Sequence, residues 1–194
     1  MTLARQLQNK TLIAQILNFQ GDISYYQGDI KSAANLFSQA LAASSGNAEK
    51  DVVLLSKLNA AKCLVEEKRS QAAIAPLKAS VQEADAAGLK HISAEAEMAL
   101  GEAFLSAHQY PGARKELEIS LRTSEKLGLQ VLLARSHYLL GRTFELSGSG
   151  GAEAAPHFAA AKRILETIHQ ESGSDAILKR QDLSSISSQS VQKP

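Results

Sequence analysis

The segment that decides the fold is Gln20-Gly21-Asp22-Ile23-Ser24-Tyr25-Tyr26-Gln27-Gly28-Asp29, because it holds the end of one helical pattern and the turn before the next. Its first glycine begins a column of small residues spaced 40 positions apart, Gly21, Ala61, Gly101 and Gly141. Three columns follow on the next helical pattern: a small residue (Ala33, Ala73, Ala113, Ala154), a large apolar residue (Phe37, Leu77, Leu117, Phe158) and a second small residue (Ala40, Ser80, Ser120, Ala161). An internal repeat of about 40 residues therefore organises the chain.

Each repeat has the pattern of two amphipathic helices joined by a turn. The spacing of four and then three places the columns of the second helix on one face, and the small residue of the first helix lets that face approach closely. The pattern predicts first helices near 11–27, 50–67, 90–107 and 129–147, and second helices near 30–44, 70–87, 111–127 and 152–170. Glycines between the repeats are predicted to end the second helices in a left-handed conformation, at Gly46, Gly88, Gly128 and Gly173.

These columns resemble the tetratricopeptide repeat family over residues 10–172. The chain departs from the family pattern in its period, which is 40 rather than about 34, and in lacking the proline that ends a repeat. The usual tryptophan position is also filled by other residues, Leu17, Lys57, Glu97 and His137. The longer period is similar to a subclass found in bacterial transcription activators and signalling kinases, and in some eukaryotic adaptors. The resemblance implies an all-α fold, an α-solenoid forming a right-handed superhelix of about four helix-turn-helix repeats with partial capping helices.

The repeats predict the domain organisation. The array covers residues 10–173, as repeats 10–48, 49–88, 89–128 and 129–173. Residues 1–9 are predicted to be the end of a preceding helix or an N-terminal cap, 174–184 a C-terminal capping helix, and 185–194 a disordered tail. Since 1–8 align with 121–128, the end of a second helix, we expect the chain to be a piece of a longer protein, with a single long capping helix as the alternative.

Composition excludes several classes of function. The net charge is +1 and no cluster of basic residues occurs, which disfavours nucleic acid and membrane surfaces as partners. A single cysteine rules out a disulfide scaffold. The sequence shows neither a signal peptide nor an apolar stretch of about 18 residues, so a cytoplasmic location is expected.

The sequence offers little for catalysis, and we expect no enzyme, metal or cofactor. None of the five histidines has metal-ligand spacing, and His137, at the tryptophan position, is predicted to pack between helices. Cys63 lacks a neighbouring base and is predicted to be a small core residue. The glycines at 148–151 are not followed by the Lys-Ser/Thr pair of a phosphate loop.

A binding surface is the remaining candidate. The resemblance implies that the first helices line a concave groove, whose partner-binding residues would be Asn18, Asp22, Tyr25, Leu58, Lys62, Met98, Glu102, Tyr138 and Arg142. The column Asp22, Lys62, Glu102 and Arg142 alternates in sign. It would either select a partner by charge or form ion pairs between repeats. Arg135 and Arg142 make the fourth repeat the most basic, which suggests an acidic partner segment there.

These observations predict a non-catalytic scaffold for protein–protein interaction that binds a partner peptide or helix. We expect the repeat region of a larger bacterial signalling or regulatory protein. A free-standing adaptor and a receptor for a small signalling peptide are the alternatives. Self-association through an uncapped first edge is also left open.

Overall fold

Every regular element in the described part of the chain is a helix. The computed structural model describes residues 9–44, 49–148, 151–171 and 173–188. The long helices are α1 (Lys10–Tyr26), α2 (Ile30–Ala43), α3 (Lys50–Glu66), α4 (Ser70–Ala86), α5 (Lys90–Ser106), α6 (Tyr110–Leu127), α7 (Gln130–Leu146) and α8 (Gly151–His169). They confirm the predicted all-α fold of consecutive antiparallel helix pairs, with bounds within one or two residues of those predicted. None of these helices is both long and apolar enough to cross a membrane.

The packing divides the chain into two compact units, Met1–Ser93 and Ala94–Pro194, with the boundary inside α5. In the first unit α1 packs on α2, α2 on α3, and α3 on α4, while α1 also contacts α3. In the second unit α6 packs on α7 and α7 on α8. Each unit therefore contains the helices of about two repeats.

The close approach predicted from the small-residue column is present in both units. A Cβ added to Gly21 would lie 2.7 Å from Cδ1 of Phe37. One added to Gly101 would lie 2.5 Å from Cγ of Leu117. At Gly141 the nearest atom would be Cε1 of Phe158, at 2.7 Å. In these three repeats the large residue of the second helix thus fills the space that the glycine of the first helix leaves open.

The turn inside each repeat has one backbone geometry. Two residues beyond the end of each first helix lies a residue with positive φ, and these residues are again 40 apart: Gly28 (82°), Lys68 (63°), His108 (58°) and Gly148 (76°). In the first three turns the next amide donates to the carbonyl five residues earlier, as in Asp29 to Ser24 at 2.9 Å. This is the Schellman arrangement, which satisfies carbonyls at a helix end.

Between the repeats, the predicted left-handed glycines are observed at Gly88, two residues after the end of α4, and at Gly128, directly after α6. Gly173 also has positive φ, but it lies four residues beyond the end of α8 and therefore does not cap that helix as predicted. The predicted cap at Gly46 and the expectations for residues 1–8 fall outside the described residues.

The end of the chain extends further in helical form than predicted. The range 174–184, predicted as a capping helix, contains α9 (Asp175–Leu178) and a 3₁₀ turn (Gln181–Leu183), and a further helix, α10 (Ser184–Ser188), extends into the range predicted to be disordered. Its cause is apolar burial, because Leu183 and Ile186 pack in one cluster with Leu165 of α8. Ile177 of α9 is 38% exposed. Residues 189–194 of the predicted tail lie outside the described part.

Candidate functional site

In the first unit, the predicted groove residues form a hydrogen-bonded network between α1 and α3. Asn59 Nδ2 donates to Oδ1 of Asp22 at 3.0 Å, and Lys62 Nζ donates to Oδ1 of Asn59 at 3.0 Å. The Lys62 ammonium lies 4.9 Å from the centroid of the Tyr25 ring, as in a cation–π contact. The Tyr25 hydroxyl donates to Oε1 of Glu66 at 3.1 Å. Side chains of α1 in the first repeat and α3 in the second thus supply hydrogen-bond and cation–π partners for each other.

A second set of contacts extends this network toward the start of the helices. Ser56 Oγ lies 3.1 Å from Oδ1 of Asn18, and Asn18 Nδ2 donates to the Val52 carbonyl at 3.4 Å. Asn18 and Ser56 are both buried. Because buried polar groups are costly when unmatched, this pairing fixes how α1 registers against α3.

Lys62 is the unusual member, since only 4% of its surface is exposed. Burial disfavours an isolated ammonium, but here the Asn59 amide oxygen and the Tyr25 ring surround it. The positive charge of Lys62 is therefore stabilised by contacts inside the first unit.

The second unit has a comparable device around Arg135, whose side chain is 7% exposed. Its guanidinium contacts Glu102 Oε2 at 3.0 Å and Asp182 Oδ2 at 3.0 Å. Asp182 is also paired with Arg180 at 2.7 Å. Such charge-assisted contacts link the first helices of the third and fourth repeats to the C-terminal segment.

The structure sorts the predicted groove residues into two groups. Asn18, Tyr25, Leu58, Lys62 and Met98 are buried, and Leu58 and Met98 have no exposed surface. A fully buried side chain cannot contact a partner in this conformation, so those two are core residues. The remaining four are partly exposed: Asp22, Glu102, Tyr138 and Arg142.

The alternating charges of the column from Asp22 to Arg142 make contacts inside each unit, but neighbouring members of the column are not paired with one another in the contacts described. Glu102 contacts Arg135, while Arg142 contacts Glu145 of its own helix at 3.2 Å. Arg135, predicted to help attract an acidic partner, is occupied by two carboxylates and is nearly buried. The prediction that Arg135 attracts an acidic partner is therefore corrected. Of the two arginines, Arg142 is the one that is partly exposed.

His137 packs between helices as predicted, against His157 of α8. Their Nδ1 atoms are 3.0 Å apart, and the His157 ring stacks on Phe144 with a centroid distance of 5.5 Å. Burial lowers the pKa of His137 to about 4, with a smaller contribution from His157. The pKa of His157 is also lowered, chiefly by burial, with Glu118 opposing and Arg114 reinforcing the shift.

An open cleft of about 340 Å³ lies beside this histidine pair, lined in part by Tyr110, Arg114 and Phe144. The Arg114 guanidinium lies 5.1 Å from the Phe144 ring centroid. The cleft combines aromatic surface with one cation. The repeat columns do not predict this cleft, because its residues come from the start of α6 and the end of α7, outside the groove columns.

Cys63 is buried, and desolvation raises the pKa of its thiol to about 12. A thiol with this pKa is protonated and unreactive near neutral pH. Among the described residues there is no group of three or more side chains suited to holding a metal ion.

The helix α1 also bears exposed apolar residues that the groove columns do not include. Phe19 is 68% exposed and Ile23 is 58% exposed. A comparison of the repeats could have identified them, because the residues 40 positions later, Asn59 and Cys63, are much less bulky than Phe19 and Ile23.

Comparison with known proteins places the fold among helical repeat proteins. No family profile matches the sequence, and no curated protein matches it. The crystal structure of BtubC (BKLC) from P. vanneervenii is similar with a TM-score of 0.66 and 19% identity, over 84% of this chain and 67% of that one. The apo form of RapI is similar with a TM-score of 0.70 and 15% identity, over 97% and 73%.

Both are helical repeat proteins, and they agree with a tetratricopeptide-like fold for this chain. At these identities the likeness defines the fold alone.

Proposed function

We propose that the protein is a non-catalytic scaffold that binds a partner peptide or helix through the face that the first helices present in each unit. The observation that carries the proposal is a set of partly exposed charged side chains held in place by contacts on that face. Asp22 accepts from Asn59, Glu102 is held by Arg135, and Arg142 contacts Glu145. Charges fixed before binding lose little conformational entropy when a partner pairs with them.

The non-catalytic part of the proposal is supported by the state of the groups that chemistry would use. The Cys63 thiol is buried and protonated, and the two histidines of α7 and α8 hold each other in a partly buried contact. The helical repeat fold shared with BtubC and RapI supports a role in protein interaction.

We further propose that the scaffold belongs to a bacterial signalling or regulatory protein, because the 40-residue period is similar to that of the long-repeat subclass. The mass of the native protein in its host tests this placement. An immunoblot band several times larger than 20.7 kDa supports a repeat region within a larger protein. A band at 20.7 kDa supports a free-standing adaptor instead.

Binding is tested by charge reversal at Arg142. A partner is first identified by crosslinking in the host, then purified and titrated by calorimetry against wild type, Arg142→Glu and the control Arg122→Glu. Arg122 is an exposed arginine on α6, a second helix, outside the proposed face. We expect Arg142→Glu to weaken binding about tenfold or more and the control to leave it unchanged. Equal affinities for all three proteins would refute the assignment to this face.

A further inference from the structure

The C-terminal segment, residues 174–188, covers part of the surface that α7 and α8 form in the second unit. Two of its side chains are buried there, Leu183 with no exposed surface and Ile186 with 4%. The surface beneath them consists of small and aliphatic residues of α7 and α8: Ala134, Ala161, Leu165 and Ile168. The segment therefore fills an apolar site on the fourth repeat.

A cation lies at one end of this apolar site. Asp182 directly precedes Leu183, and its Oδ2 is 3.0 Å from the guanidinium of Arg135, with the two side chains 4% and 7% exposed. A second carboxylate, that of Glu102, holds the same guanidinium at 3.0 Å. Because a guanidinium has five donors in a fixed fork, Glu102 can position Arg135 and leave donors for another carboxylate. The site thus accepts an acidic side chain followed by apolar ones.

The segment covers one end of the α7 face on which the proposed partner would lie. At about 100° per residue, Ala134, Arg135, Tyr138 and Arg142 fall within about 100° of one another around the helix axis. Tyr138 packs against the apolar cluster that contains Leu183, whereas Arg142 is partly exposed. Arg142 is about two turns beyond Arg135 along the helix. A partner that runs along this face from Arg142 would therefore meet the segment.

The segment depends on its docking for its folded form. Helix α9 has four residues and α10 has five, whereas an isolated helix needs about 12–15 residues to be stable. Most other described side chains of the segment are exposed: Asp175, Ala176, Ile177, Lys179, Gln181, Ser184 and Ser185. Its attachment therefore depends on its inward side chains, Asp182, Leu183 and Ile186. A competitor that supplies the same contacts can replace it.

Building on the proposed function, we propose that the C-terminal segment competes with the partner for the first-helix face of the second unit. The partner presents an acidic side chain followed by apolar side chains one and four positions later, the pattern of Asp182, Leu183 and Ile186. Arg135 attracts no partner while Asp182 occupies it, and it becomes a partner contact only when the segment has left. The chain thus inhibits its own binding face.

The test is fluorescence anisotropy with a labelled synthetic peptide of residues 174–188, titrated with three forms of the complete chain. These are the wild type, a released variant (Asp182→Asn, Leu183→Ala) and a matched control (Asp175→Asn, Ile177→Ala), in which the same kinds of residue are changed at exposed positions of the segment. We expect the released variant to bind the peptide at least about tenfold more tightly than the other two forms, because its own segment no longer competes. A peptide carrying Asp182→Lys should bind it at least about tenfold more weakly.

Equal dissociation constants for the three forms, or no binding by any of them, would overturn the proposal. So would equal binding of the native and Asp182→Lys peptides. Circular dichroism checks that each form keeps its helical content. If the double variant loses it, Asp182→Asn alone takes its place, and an unchanged peptide affinity then counts equally against the proposal.

The partner captured by crosslinking separates this competition from the proposed function. It should bind the released variant more tightly than the wild type. A partner that is weakened by Arg142→Glu but binds both forms equally would overturn the competition and leave the proposed function intact. A partner that is insensitive to Arg142→Glu would refute the proposed face, whatever the peptide does.

Discussion

Substituting Gly21 by alanine tests the close packing of α1 against α2. The added Cβ would lie 2.7 Å from Cδ1 and 2.9 Å from Cζ of Phe37, whereas ordinary contacts of this kind are 3.4–4 Å. The ring would have to move by roughly 1 Å, and Phe37 is only 1% exposed, so it has no free space to enter. Overpacking of this kind costs about 1–3 kcal/mol.

Alanine also has a higher helix propensity than glycine, which returns about 1 kcal/mol. Because Phe37 has no free space to enter, the steric cost should lie in the upper part of that range, at about 2–3 kcal/mol, so we expect Gly21→Ala to lower the free energy of unfolding by about 1–2 kcal/mol. Urea unfolding followed by circular dichroism measures the shift in midpoint. Gly151→Ala is the control, because a Cβ there meets nothing within 4 Å, and it should be neutral or slightly stabilising.

A double variant separates steric strain from other causes. The second repeat has Ala61 and Leu77 where the first has Gly21 and Phe37, so Phe37→Leu in the Gly21→Ala background should recover at least half of the lost stability. Two results would refute this steric explanation. One is a Gly21→Ala variant as stable as wild type. The other is a double variant in which Phe37→Leu lowers the stability by as much as it does in the wild-type background.

Further changes have defined outcomes. Replacing Arg135 by methionine removes the cation that contacts Glu102 and one of the two cations that contact Asp182. This should cost about 3 kcal/mol in thermal or urea unfolding, whereas a loss below about 1 kcal/mol would show the pairs to be dispensable. His137 and His157 have lowered pKa values, so the unfolded chain binds more protons below its ordinary pKa of 6.5, and stability should fall from pH 6.5 toward pH 4. For these half-exposed rings the loss is about 1–2 kcal/mol after solvent screening, and His137→Gln should reduce it. Cys63 should resist a thiol reagent at pH 8 in the folded protein and react fully in urea; fast labelling of the folded protein would contradict its burial. Lys68→Gly should stabilise by about 0.5–1 kcal/mol by relieving a left-handed lysine, and an unchanged urea midpoint would contradict this.

The helices and their pairing could be predicted from sequence because both depend on local patterns. Gly21, Gly101 and Gly141 predicted where second helices approach, and the structure places a large residue against each of them. Helix bounds followed from turn residues whose conformational preferences act over a few positions. The same local reasoning explains the error after Leu183, since serine-rich composition hid the burial of Ile186.

The surface could not be predicted to the same degree. The groove positions were assigned by resemblance, and exposure depends on which side chains meet after folding. Arg135 lies 47 residues before Asp182, and no spacing rule links the two. Leu58 and Met98 look like adaptable binding residues in sequence, but they fill the interior. The exposed Phe19 and Ile23 of α1 could have been found by comparing each repeat with the next, because Asn59 and Cys63, 40 positions later, are less bulky.

The turns inside the repeats have a consequence for how such a chain can change length. Gly28, Lys68, His108 and Gly148 all adopt positive φ, although two of them are not glycine. The backbone geometry of these turns is thus the same although their side chains differ, so one helical hairpin can replace another without a change in the turn. A gene that duplicated or lost a block of 40 codons would preserve the positive-φ turn inside each remaining repeat. The chain could therefore lengthen or shorten by whole repeats without losing this turn geometry.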